Sequence, residues 1–164
     1  MTSYIHKILW FVGLVLFQVL ILNGIHFLGY ATPFLYVYFI LTLNADTSRN
    51  EIMLWAFCMG LLIDICADTP GVNTIASVLL AFVRPLILRL FSERDNPESM
   101  VPSLTTMGMV SFTQYVTAGC LIHSLTLILI EFFSFYSFWL ILLRIVLCTF
   151  ITVIGVLVVE GIRK

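Results

Sequence analysis

Met59-Gly60-Leu61-Leu62-Ile63-Asp64-Ile65-Cys66-Ala67-Asp68-Thr69-Pro70-Gly71-Val72-Asn73 places a carboxylate inside an apolar run long enough for a membrane helix. An unpaired carboxylate in the bilayer costs roughly 2.5 to 3.5 kcal/mol even on lenient insertion scales, so such a residue faces a protein interior and takes a partner. Thr69-Pro70-Gly71 stops the helix, because proline cannot continue it and glycine supplies a turn conformation. With Pro70-Gly71 at one membrane surface, Asp64 lies roughly 6 to 10 Å below it at about 1.5 Å per residue. Gly60, one helical turn earlier, leaves space beside the carboxylate for another helix.

The rest of the chain has the same character. Of 164 residues, 61% are hydrophobic and 10% charged, and mean hydropathy is +1.10, far from a soluble balance. No charged residue occurs from Ile8 to Ala45, and comparable stretches recur to the C-terminus, leaving no room for a soluble catalytic domain. The expectation is a single integral membrane domain over 1–164. A net charge of −1 with scattered Lys and Arg offers no surface for a nucleic-acid backbone.

A helix needs about 20 apolar residues to cross about 30 Å of hydrocarbon, and six segments fit an all-α bundle of six transmembrane helices: about 8–28, 32–44, 51–67, 72–91, 103–131 and 135–161. The second, a short run after Thr32-Pro33, only partly crosses or begins below the surface. His6 and Lys7 precede an apolar stretch longer than a signal-peptide core, so the first segment is read as an attached signal anchor. Lys7, Arg49, Arg89, Arg94, Arg163 and Lys164 all fall on the side of the termini, which the positive-inside rule makes cytoplasmic.

Two basic residues remain within the segments. Arg84, just before Pro85, sits roughly 18 to 20 Å from the Pro70-Gly71 surface and could extend its head to the cytoplasmic interface. Arg144 lies roughly 8 to 14 Å below the outer surface and is the better-matched partner for Asp64. Either the two form a structural pair fixing how the third and sixth segments meet, or Asp64 belongs to a substrate or proton site. Glu160 and Lys164, four apart, read as a local helix pair.

Phe132-Phe133-Ser134-Phe135-Tyr136-Ser137-Phe138-Trp139 reads as an outer interface belt or a partner-binding patch, with Phe135, Tyr136 and Trp139 as candidate contacts. Thr106, Thr113, Thr117, Cys120 and Ser124 follow one helix face, as a packing seam or the lining of a cavity. Gly13 and Gly155 are candidate seams where a partner helix could approach. Cys58, Cys66, Cys120 and Cys148 read as small packing residues, and His6, His26 and His123 lack local zinc spacing, so no metal or cofactor is expected.

Hydrolytic chemistry needs a nucleophile beside a base, and the chain has neither a Gly-x-Ser-x-Gly elbow nor a His-Glu-x-x-His pair. His123 and Glu131 are about 12 Å apart along one helix, too far for direct proton transfer. The expectation is a protein that is not an enzyme.

Pro33 before a short apolar segment, a charged turn ending near Glu51, Gly60-Leu61-Leu62-Ile63-Asp64, and then Gly71-Val72-Asn73 form a set that, in order and spacing, resembles the MreD family. These are the small membrane subunits of the bacterial rod-shape system, and the resemblance spans nearly the whole chain. It implies a multi-pass subunit of the bacterial cytoplasmic membrane that supports lateral peptidoglycan synthesis. Implied partners are the single-pass protein MreC and, with contact unspecified, MreB, RodA and a class B penicillin-binding protein. The family is similar in fold to the S-components of energy-coupling-factor transporters, so a vitamin-binding S-component is the alternative. S-components typically carry an Ala-x-x-x-Ala motif in the first segment, whereas residues 8–28 contain no alanine.

Overall fold

The computed structural model describes the backbone of residues 2–24, 32–92, 100–131 and 138–163, and among these every regular element is a helix. α1 spans Thr2–Leu20, followed by a 3-10 turn at Leu22–Gly24; α2 is Val37–Thr42, α3 Arg49–Ala67, α4 Val72–Phe91, α5 Leu104–Met107, α6 Met109–Glu131 and α7 Phe138–Arg163. Among the described residues, four helices are long and apolar enough to cross a membrane: α3, α4, α6 and α7 from Trp139. The apolar part of α1, Lys7–Leu20, is shorter. The described residues are therefore those of an all-helical membrane protein, with four full-length candidate spans among them where six were expected.

The two remaining segments differ for local reasons. Pro33 does not open a helix at once. Val37, Tyr38 and Phe39 donate to Phe34, Leu35 and Tyr36 in three-residue turns, and only Val37–Thr42 becomes α-helical. Six residues rise about 9 Å, too little to cross a bilayer. The fifth segment is broken at Gly108, whose φ of +80° and ψ of 162° suit glycine alone, leaving the four-residue α5 before α6. Ser103 and Thr106 close a capping box at the start of α5.

The short α2 segment is the centre of the molecule. Tyr36, Val37, Ile40 and Leu41 are completely buried, among side chains such as Phe11 of α1, Met59 of α3, Leu80 of α4 and Phe112 of α6. Two glycines admit it closely. A Cβ on Gly119 of α6 would lie 2.8 Å from Leu41 Cδ2, and one on Gly155 of α7 would lie 2.9 Å from Leu35 Cδ2.

Backbone that is neither helix nor strand is tolerated at membrane depth only where protein groups satisfy it. Here Gln18 donates to the Pro33 carbonyl at 2.9 Å, and the Phe34 N–H donates to Thr152 Oγ1 at 3.1 Å. At the other end Arg84, 1% exposed, donates through Nε to Leu41 O and through Nη2 to the Leu41 and Leu43 carbonyls. Tyr115 donates to Leu41 O at 2.9 Å and accepts from Arg84 Nε at 3.1 Å. The guanidinium thus caps the C-terminus of α2, where unpaired carbonyls and the helix dipole favour a cation. Arg84 does not reach toward an interface as expected. The nearest unmet acceptors are inside.

α3 and α4 form a hairpin. Asp68 takes a left-handed conformation at φ 53° and ends α3, and Gly71 at φ 83° begins α4. Gly60 sets their approach: a Cβ there would lie 2.5 Å from Thr74 Cα and 2.9 Å from the Asn73 carbonyl oxygen. Gly60→Ala should therefore force the two backbones apart and destabilise by about 1 to 3 kcal/mol, the usual range for overpacking. Gly13→Ala, where nothing lies within 4 Å of the added carbon, should leave the unfolding temperature in detergent unchanged.

Candidate functional site

Asp64 sits in the last turn of α3, 3% exposed, and its carboxylate caps the first turn of α4. Oδ1 accepts from the Thr69 hydroxyl at 2.5 Å, the Asn73 N–H at 3.0 Å and Asn73 Nδ2 at 2.9 Å. Oδ2 accepts from the Thr74 N–H at 2.8 Å and the Thr74 hydroxyl at 2.5 Å. A carboxylate has about four lone-pair sites, so these donors saturate it. An anion at a helix N-terminus meets both unpaired N–H groups and the positive end of the dipole.

The network continues into the core. Asn73 Nδ2 is engaged by Asp64 and Thr69, which turns Asn73 Oδ1 toward the Tyr36 hydroxyl at 3.1 Å. An amide oxygen can only accept, so Tyr36 donates to it. Tyr36 must then accept from His123 Nε2, 2.8 Å away. This order puts the proton of a neutral His123 on Nε2 and leaves Nδ1 a buried acceptor with no hydrogen bond among the described residues. His123, fully buried on α6, also packs its ring against Phe34 and Tyr36. Asp64, Asn73, Tyr36 and His123 thereby tie α3, α4, the α2 segment and α6 into one polar chain.

A cavity of about 600 Å³ opens beside the chain, lined by Thr32, Cys66, Thr69, Pro70, Asn73 and Glu131 among others. Its polar wall is shared with the Asp64 network, but Thr69 and Asn73 already hydrogen-bond to the carboxylate.

Gly60, Asp64, Pro70, Gly71 and Asn73 all lie along the α3–α4 hairpin, and Arg144 is not among the donors to the Asp64 carboxylate. In place of the expected Asp64–Arg144 pair, Arg144 Nη1 lies 3.9 Å from Glu131 Oε2 across α6 and α7, and both side chains are partly exposed. The carboxylate finds its donors locally, within ten residues of chain, and needs no cation from a distant helix. Gly155 is not a free seam either, since Leu35 packs against it. Gly13 is open. Trp139 is 82% exposed, while Phe135 and Tyr136 lie outside the described residues.

Other expectations also change. Glu160, expected to pair with Lys164, accepts from the Tyr38 hydroxyl at 2.6 Å and the Leu104 N–H at 3.4 Å. Arg163 also donates to the Tyr38 hydroxyl, at 3.1 Å. Lys164 lies outside the described residues. Of the polar stripe on the fifth segment, Thr113, Thr117, Cys120 and Ser124 share one face of α6, and Thr106 is separated from them by the break at Gly108. Thr106 belongs to the α5 cap, Thr113 and Thr117 bond back to the carbonyls of Met109 and Thr113, and Cys120 and Ser124 are buried. Cys58 and Cys66 are exposed rather than packed, while Cys120 and Cys148 are buried. Sequence reasoning missed Tyr36, His123 and Thr74, whose only signal was a polar group in an apolar run.

Comparison with protein-family models, with curated proteins and with solved structures yields no match.

Asp64→Asn should leave at least one α4 N–H or hydroxyl facing an amide donor, at about 1 to 3 kcal/mol for each buried group left unmet. Arg144→Gln should cost less than about 1 kcal/mol, as for a partly exposed pair. In a double-mutant cycle on unfolding, Asp64→Asn should couple with Thr74→Val and be additive with Arg144→Gln. Coupling to Arg144 alone would restore the long-range pair.

Proposed function

We propose that this chain is a non-enzymatic membrane scaffold subunit of a bacterial cell-elongation complex, of the kind its sequence resembles, residing in the cytoplasmic membrane with both termini cytoplasmic. It holds an MreC-like single-pass protein beside the machinery of lateral peptidoglycan synthesis, which in such complexes includes MreB, RodA and a class B penicillin-binding protein.

The observation that carries this proposal is an apolar groove of about 410 Å³ between α1 and α7, lined by Trp10, Gly13, Leu14, Phe17, Leu35 and Val159 among others. Helices in lipid associate through close backbone approach more than through hydrophobic drive, and an open glycine permits that approach. Along α1, Ile5, Leu9, Val12, Leu16 and Leu20 are all exposed at spacings of three and four, so an apolar stripe flanks the groove. The interior polar groups give further support. The Asp64 carboxylate is saturated, and Arg84 is bound to carbonyls and a tyrosine, an arrangement suited to holding a shape rather than to turnover. A single transmembrane helix fits this groove better than a soluble domain does, because every wall residue named is apolar or glycine.

The cavity beside Thr69, Asn73 and Glu131 favours a second reading, a vitamin-binding S-component, since it combines volume with polar lining at one end of the bundle. Photocrosslinking from Gly13 and Phe17 should capture a single-pass protein with a following coiled coil, and Gly13→Trp should abolish capture while the unfolding temperature holds. Depletion in a rod-shaped host should round the cells. Loss of uptake of one vitamin with shape retained, or a vitamin retained by the purified chain, would replace the scaffold with the S-component.

A further inference from the structure

At the end of the α3–α4 hairpin away from Pro70 and Gly71, a cavity of about 360 Å³ is lined by Asp46, Arg49, Arg84, Pro85, Leu88 and Arg89, among others. Three arginines thus line the cavity, against one acidic residue, the exposed Asp46. Arg84 is the buried member. Its Nε and Nη2 are engaged by the Leu41 and Leu43 carbonyls and by Tyr115, which leaves Nη1 without a hydrogen bond among the described residues. Neither Arg49 nor Arg89 forms an ion pair among the described residues, where the salt bridges are Lys7–Glu51 and Arg144–Glu131.

Arginines lining one cavity suit the oxygens of a phosphate, which guanidinium groups bind in a forked, bidentate manner. The source of the phosphate follows from position. Arg49 opens α3 and Arg89 lies in the last turn of α4, so both mark helix ends, where lipid headgroups lie. Beside them Phe82, Leu86 and Leu90 recur every fourth residue on α4 and are 49%, 59% and 70% exposed, an apolar track for an acyl chain. The Arg49 guanidinium sits 4.9 Å over the Phe82 ring and so joins the track to the cavity. We infer that this cavity is a binding site for the phosphate of an anionic phospholipid, with Arg49 and Arg89 as its outer clamps and Arg84 as its floor.

The test uses the full chain purified in mild detergent and supplied in turn with phosphatidylglycerol, phosphatidylcholine or inorganic phosphate. Native mass spectrometry should show phosphatidylglycerol retained in preference to the zwitterionic lipid, and that lipid should raise the unfolding temperature. The double variant R49Q/R89Q, which leaves Arg84 and its capping bonds intact, should lose about tenfold or more in lipid affinity, as expected for removing two basic contacts. Equal retention by the double variant, or equal retention of the two lipids, would overturn the proposal. Stabilisation by inorganic phosphate equal to that by phosphatidylglycerol would overturn the lipid source and assign a free-phosphate site. A readout that needs no loss of charge is crosslinking of photoactivatable phosphatidylglycerol to a probe at Leu86. Labelling there should exceed labelling at Ile75, an exposed residue near the other end of α4, and equal labelling would also sink the site.

Discussion

Residues 33–43 pass through the middle of a helical membrane protein with only six of them in an α-helix, and the rest of the structure is arranged around satisfying their backbone. In a hydrocarbon environment no water is present to accept or donate, so every loose N–H and C=O needs a protein partner. Gln18 and Thr152 meet the start of the segment, and Arg84 with Tyr115 meets its end. These residues come from α1, α7, α4 and α6, so the helices are held at the distances their side chains need to reach the centre. The glycines at 119 and 155 serve the same end by giving Leu41 and Leu35 space to pack.

Of the three buried charges among the described residues, Asp64, Arg84 and Glu160, the first two act as helix caps rather than as members of an ion pair. Asp64 lies at the N-terminus of α4 and Arg84 at the C-terminus of α2, each at the end whose dipole it complements. A cap formed within a hairpin orders little additional chain, whereas a pair between distant helices must overcome desolvation of both ions with a single contact. That difference explains why the saturated Asp64 site forms locally and why Arg144 meets Glu131 at 3.9 Å near the end of α6.

The polar chain from Asp64 to His123 extends this logic from backbone to core specificity. Each hydrogen-bonding group constrains the next: the carboxylate orients Asn73, Asn73 orients the tyrosine hydroxyl, and the hydroxyl selects the imidazole nitrogen that carries the proton. A register shift of α6 by one residue would carry His123 off the Tyr36 hydroxyl and strand both groups. Such a network selects one packing of otherwise interchangeable apolar helices, which dispersion alone would distinguish weakly.

The sequence by itself determined the membrane-helix class, the α3–α4 hairpin and the importance of Gly60 and Asp64, because these rest on local signals. Apolar length sets a span, Pro70 and Gly71 set a turn, and an isolated carboxylate in an apolar run must be satisfied. It also marked the second segment as the weakest of the six, one that only partly crosses or begins below the surface, since apolar length can be read directly. Only the tertiary structure decided which groups satisfy the charges. Tyr36 meets His123 across 87 residues and Asn73 across 37, and Tyr38 meets Glu160 across 122, separations that no helical or strand period encodes. It likewise decided that Gly155 is filled by Leu35 while Gly13 stays open, two glycines alike in sequence context. Periodicity reports which face of a helix is apolar, but the neighbour that occupies that face is set by how the whole chain folds back around its buried centre.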